Sequence, residues 1–127
     1  METGPPIPEK AVNVADKLAL VKEYWTPKII AAFNGQEVKV ARLKGEFVWH
    51  SHENEDELFL VIKGELIVHF RDRDVLVSPG ELVVIPKKAE HMTEAKDEVE
   101  LVFIDPASTP NTGNVVSDKT VAKPESI

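Results

Sequence analysis

The stretch Trp49-His50-Ser51-His52-Glu53-Asn54-Glu55-Asp56-Glu57 sets two histidines one residue apart and follows them with carboxylates. In a strand, residues two apart project from one face with Cα atoms roughly 6.5 Å apart. His50 and His52 can therefore converge on a single ion. A straight continuation would point Glu57 away from them, but Glu53-Asn54-Glu55-Asp56 is polar and turn-forming. The chain can reverse there and return Glu57 on the next strand, sharing a face with Phe59 and Val61. Glu53 and Glu55 belong to the turn as solvated charges, and Asp56 has the wrong parity. His91, which follows Gly80-Glu81-Leu82-Val83-Val84-Ile85-Pro86 and opens another strand, is the third candidate histidine. Three imidazoles and a carboxylate form a nitrogen and hard-oxygen set suited to Mn, Fe, Co, Ni or Zn rather than Ca or Mg. On an octahedral ion such a set leaves two positions at which a substrate can chelate and be polarised. The alternative is a metal-free polar interior satisfied by water.

The elements that must position these residues follow from the apolar pattern. The chain has 127 residues, 43% hydrophobic and 29% charged, enough for one core and one domain. Residues 1–28 read as a proline-rich arm and a short helix, capped by Asn13, with Val14, Ala15, Leu18 and Val21 on one face. From Ile29, short apolar or alternating runs separated by turns predict an all-β barrel over 29–105. The expected strands are 29–33, 36–43, 46–52, 57–63, 65–71, 74–78, 81–86, 91–95 and 98–104. Asn34-Gly35 is the clearest hairpin turn. Runs such as LFLVI and ELVVI are apolar on both faces and call for a second sheet or a partner chain outside. Residues 106–127 are polar and read as a tail lying over the barrel or partly disordered.

The net charge of -7 gives no general attraction to nucleic acid or anionic lipid. The apolar runs are too short to span a bilayer, and the start METGPPIPEK lacks a signal pattern, so a cytoplasmic protein is expected. With no cysteine, thiol chemistry, thiolate zinc sites and disulfides are excluded.

The spacing of these residues resembles the cupin superfamily. Its first motif, G-x5-H-x-H-x3 or 4-E-x6-G, is similar to Gly45 through Gly64, carrying His50, His52 and Glu57, with four residues instead of five after Gly45. The second, G-x5-P-x-G-x2-H-x3-N, is similar to Gly80 through Ala95, carrying Pro86 and His91, with Lys88 for the usual glycine and Ala95 for the usual asparagine. The resemblance implies a jelly-roll, double-stranded β-helix barrel with His50, His52, Glu57 and His91 as ligands of a divalent transition metal inside it. It extends to the short single-domain members labelled mannose-6-phosphate isomerase-like, a label of shape more than of substrate. It also implies a homodimer, a small-molecule ligand or substrate, and either isomerase, lyase or dioxygenase chemistry or a non-catalytic binding module.

Other residues have simpler expected roles. Phe47 and Trp49, opposite His50 and His52 in a regular strand, are expected to pack against a second sheet or partner. Thr93 and Ala95 are expected to wall the cavity with Phe59 and Val61. His69 is expected in the pocket or on the surface, as the one remaining histidine that could serve as an acid or base. Lys87 and Lys88 read as a solvated loop near the barrel mouth.

Overall fold

The computed structural model describes residues 4–127, so the first three residues of the expected arm lie outside it. Asn13 accepts a hydrogen bond from the Asp16 amide at 2.9 Å and starts α1, Val14–Ala19. Leu18 and Val21 go under this helix and are almost fully buried, whereas Ala15 is exposed. Each of the two buried side chains contributes about 1.5–3 kcal/mol relative to exposure. No helix among the described residues is long and apolar enough to cross a membrane.

Strands follow as β1 (Lys28–Phe33), β2 (Gln36–Glu46), β3 (Glu57–Lys63), β4 (Leu66–Phe70), β5 (Asp74–Val77), β6 (Leu82–Ile85), β7 (His91–Pro106) and β8 (Glu125–Ser126). They form a sheet in the order β5-β4-β7-β2-β1-β8, with β3 pairing both β7 and β6. The sheet bends around its core without closing into a continuous ring of pairs, and the architecture is the cupin jelly roll. The expected strands 91–95 and 98–104 are one, β7, because no glycine or proline interrupts 91–105 and the polar trio Lys96-Asp97-Glu98 simply faces outward. Its first part pairs with β4 and its second lies between β2 and β3.

The expected strand 46–52 is not formed. β2 continues from Gln36 through a register shift between Leu43 and Gly45, where Gly45 has φ +84, and stops at Glu46. Beyond it the Phe47 amide still donates to the Thr93 carbonyl at 2.9 Å, and an isolated bridge joins His50 and His91 with amide-to-carbonyl bonds of 3.0 and 2.9 Å. The period-2 alternation assumed for 46–52 is therefore broken.

Two cores result. Ala41, Leu43, Phe59, Val61, Leu101 and Phe103 face inward among others, while Val40 and Val102 on the opposite faces of β2 and β7 pack with Leu18 of α1 and Val21 just beyond it. The tail lies over the barrel: Asn114 and Ser51 exchange hydrogen bonds of 3.0 and 2.9 Å, Thr112 is fully buried, and β8 pairs in parallel with β1.

Lys88, in the position where the second motif has glycine, has φ +72, and its amide donates to the His52 carbonyl at 2.7 Å. Left-handed strain of about 1–2 kcal/mol outweighs the extra chain entropy of glycine, about 0.5–1 kcal/mol. Lys88→Gly is therefore expected to raise the denaturant midpoint by an amount worth about 0.5–1 kcal/mol, with unchanged m-value.

Candidate metal centre

The loop after β2, the start of β3 and the start of β7 bring His50, His52, Glu57 and His91 together, with one donor atom from each within 4.8 Å of all the others. All four are buried, between 0% and 4% exposed. His50 and His91 face each other with ring centroids 4.3 Å apart, and His52 lies 5.0 Å from His50. The Nδ1 of His50 donates to the Val48 carbonyl and that of His91 to the Ala89 carbonyl, both at 2.9 Å. Because a carbonyl can only accept, each ring has its proton on Nδ1 and turns the lone pair of Nε2 to the cluster, the usual arrangement of a metal-binding imidazole.

The chemistry of the donors fits an ion. His52 Nε2, His91 Nε2 and Glu57 Oε1 are buried without a satisfied hydrogen bond, an arrangement that costs stability unless something else satisfies them. Glu57 Oε1 lies 3.0 Å from His52 Nε2 and 3.7 Å from His91 Nε2. Donors about 2.1 Å from one ion at right angles to each other are about 3 Å apart, so the shorter of these separations matches neighbouring coordination positions and the longer is wider than that. The four side chains could hold a divalent transition metal.

Electrostatics point the same way. Burial, reinforced by the neighbouring His91, pushes His50 down to about 4, so its imidazole is neutral near pH 7. Burial opposes ionisation of Glu57, but the polar neighbours His52, His91 and Asp105 outweigh it and hold the carboxyl well below the usual carboxylate range. Asp105, directly across from Glu57 on β7, is pushed up to about 7 by burial and by that carboxylate, against the pull of Lys39. Lys39 is itself buried and bound to Asp105 at 2.6 Å.

A chamber of about 50 Å³ opens beside the cluster, lined by His50 and Glu57 together with Leu43, Phe47, Phe59, Thr93, Leu101, Phe103 and others. Phe59 and Thr93 wall it as expected. Phe47 does not pack outside: with 46–52 irregular, it turns into the chamber, stacks on Trp25 at 4.8 Å and meets His50 edge-on at 5.4 Å. Trp49 does lie away from the chamber, under the Arg71 guanidinium at 3.8 Å. Lys87 and Lys88 are exposed. Trp25, Asn111, Lys39 and Asp105 were not picked out from the sequence. For the last two a signal existed, a charge at the inward parity of the alternating runs Val38-Lys39-Val40 and Leu101 through Asp105.

Gly113, in the tail, has φ +54, and a Cβ there would collide with the Ser51 carbonyl and come within 3.0 Å of the His50 ring. Gly113→Ala is expected to cost about 1–3 kcal/mol. It should also weaken metal uptake by displacing His50, read by denaturant melts and Co²⁺ titration.

His69 is not in the chamber. On the outer face of β4 it is bracketed by Asp74 at 2.6 Å and Glu94 at 2.8 Å, whose carboxylates raise its pKa, Glu94 most. The charged form is favoured in the fold, so this contribution is fully present below about pH 6.5 and is lost as pH rises through the raised folded value. The fall in stability above about pH 6.5 should be smaller in His69→Gln than in the parent when both are melted between pH 5.5 and 8.5.

The fold and this cluster define a class, and comparison with known proteins agrees with it. The Cupin_2 cupin domain family matches residues 37–106, and the chain belongs to that family. It is similar to the uncharacterized protein YdbB of Bacillus subtilis (strain 168), 37% identical over 76 residues, 59% of this chain and 67% of YdbB. Among solved structures, a cupin-2 domain containing protein from Shewanella frigidimarina NCIMB 400 is 41% identical with TM-score 0.74, covering 75% of this chain and 93% of that one. Protein NMB1881 from Neisseria meningitidis is 30% identical with TM-score 0.71, covering 77% and 100%.

Proposed function

We propose that this chain is a metal-dependent cupin enzyme in which His50, His52, Glu57 and His91 hold one divalent transition ion, Mn, Fe, Co, Ni or Zn, and present it to a small metabolite in the chamber. The observation that carries the reading is the convergence of buried, unsatisfied ring nitrogens and a carboxylate oxygen on one point. Bound there, the ion would act as a Lewis acid toward substrate oxygens, which suits isomerase, lyase or dioxygenase chemistry. The protein's own part is to fix the imidazole tautomers through the Val48 and Ala89 carbonyls, keep Glu57 ionised, and exclude water with Phe47, Phe59 and Phe103.

A second reading, a non-catalytic module that captures a small molecule, is favoured by one feature. Apart from His50 and Glu57, the chamber lining carries no acid or base among the described residues that could move a proton. Incubating the metal-loaded protein aerobically and anaerobically with a panel of small hydroxy and oxo acids, followed by NMR, separates the two. Consumption of a panel member supports the enzyme, whereas saturable binding with every ligand recovered unchanged supports the module.

Leu82 and Val84 expose 58% and 52% of their surface on β6, whose far edge is unpaired among the described residues. They support the pairing of two copies, which sedimentation equilibrium would detect as a dimer mass.

A further inference from the structure

We infer that the chamber takes a short ligand with a hydrocarbon body, joined to the ion through an oxygen-bearing end, and does not take a polyhydroxylated or phosphorylated sugar; this rests on the metal-centre reading above. Beyond His50 and Glu57, its walls are mainly aliphatic and aromatic: Leu43, Phe59, Leu101 and Phe103, with Trp25 stacked on Phe47. The other polar groups of the lining are largely committed elsewhere. The Trp25 indole donates to the Lys44 carbonyl at 2.9 Å. The Asn111 amide donates to the Lys119 carbonyl and accepts from the Val121 amide, both at 2.8 Å. Among the described residues, Thr93 alone brings a hydroxyl to the lining.

Charge recognition is lacking in the same way. No lysine or arginine among the described residues belongs to the lining. Lys39, which shares the inward face of β2, is held by Asp105 at 2.6 Å and sits over the Phe103 ring, 5.4 Å from its centroid. Away from the ion, a phosphate brought into the chamber would shed water and meet no free cationic side chain, and sugar hydroxyls would compete for one threonine. Buried polar groups left unpaired discriminate far more strongly than a missing methylene does.

Size and strain agree. The cavity of about 50 Å³ is small beside the roughly 150 Å³ of an apolar cavity that admits benzene, which limits the enclosed body to about two or three carbons. Trp25 has φ 60, a left-handed conformation that a large side chain keeps only where its surroundings impose it. Its amide bond to the Arg42 carbonyl at 2.9 Å and its indole bond to Lys44 impose it here, and they place the ring against Phe47 as an apolar wall.

The test uses the Co²⁺-loaded full chain, whose visible absorption reports ion uptake and ligand entry separately. The probes are 2-oxobutanoate, 3-hydroxypyruvate and mannose 6-phosphate. The first two have the same size and the same oxygen pair and differ only in a terminal methyl or hydroxyl. The expected result is that 2-oxobutanoate binds about tenfold or more tightly than 3-hydroxypyruvate, and that mannose 6-phosphate leaves the bands unchanged. Equal or reversed preference between the two acids, or tight binding of the phosphosugar, overturns the inference while the cobalt bands leave the metal centre standing. Absence of cobalt uptake overturns the metal centre and this inference with it.

Discussion

Lys39→Ala is expected to destabilise the fold by about 3–5 kcal/mol at pH 8, because it leaves Asp105 buried without its cation. Lys39 and Asp105 are 2% and 1% exposed and 2.6 Å apart, so water cannot take over the lost partner without opening the barrel. For a domain whose whole stability is about 5–15 kcal/mol, that is a large fraction. The cause can be separated from lost packing in two ways. Asp105, already raised to about 7 with Lys39 present, will protonate more readily once the ammonium is gone, so the penalty should shrink as pH falls from 8 towards about 7 and level off below it, where parent and variant both hold the proton. The paired change Lys39→Met with Asp105→Asn should recover most of the loss, since a neutral pair needs no counter-charge. Urea melts of the three variants at pH 8 and pH 6 measure both effects, and a pH-independent loss shared by the paired variant would assign the cost to packing.

The second large effect concerns His91 and Glu57. His91→Ala removes a fully buried imidazole whose tautomer the Ala89 carbonyl sets, and Glu57→Gln replaces an ionised oxygen with a neutral amide of the same shape. Loss of partners that merely orient metal ligands costs about 10–100-fold in affinity, so loss of a ligand itself should cost about a hundredfold or more. Competition of each variant with a chelator for Co²⁺ checks this. The stabilisation by metal seen in parent melts should largely disappear in both variants, since an ion that binds only the folded state adds its binding free energy to folding. Retained affinity in Glu57→Gln would place the ion elsewhere.

Much of this site was legible from local pattern. The parity of Glu57, Phe59 and Val61, the polar turn over 53–56 and the proline stop before His91 are properties of short segments, and the structure brings those residues together as they imply. What failed did so where the chain leaves the sheet. Side chains alternate only while a strand stays extended, and the end of β2 at Glu46 breaks the parity expected between Phe47 and His50, so Phe47 enters the chamber instead of packing outside. The unity of β7 was hidden by Lys96-Asp97-Glu98, which imitate a turn in composition yet contain no residue that breaks a strand. Lys39 and Asp105 are 66 residues apart, so the inward parity of each run can flag a charge there but cannot name its partner. Asn111 and Gly113 reach the site from a polar tail whose packing depends on surfaces formed by the barrel.

The most direct test of the metal centre is elemental analysis of the protein purified without chelator or affinity histidines, then incubated with each of Mn, Fe, Co, Ni and Zn and desalted. About one equivalent of a single transition ion per chain is the predicted result for four donors converging on one point. A chain that stays empty with every ion would contradict it, and the buried cluster would then have to be satisfied by water and by its own hydrogen bonds.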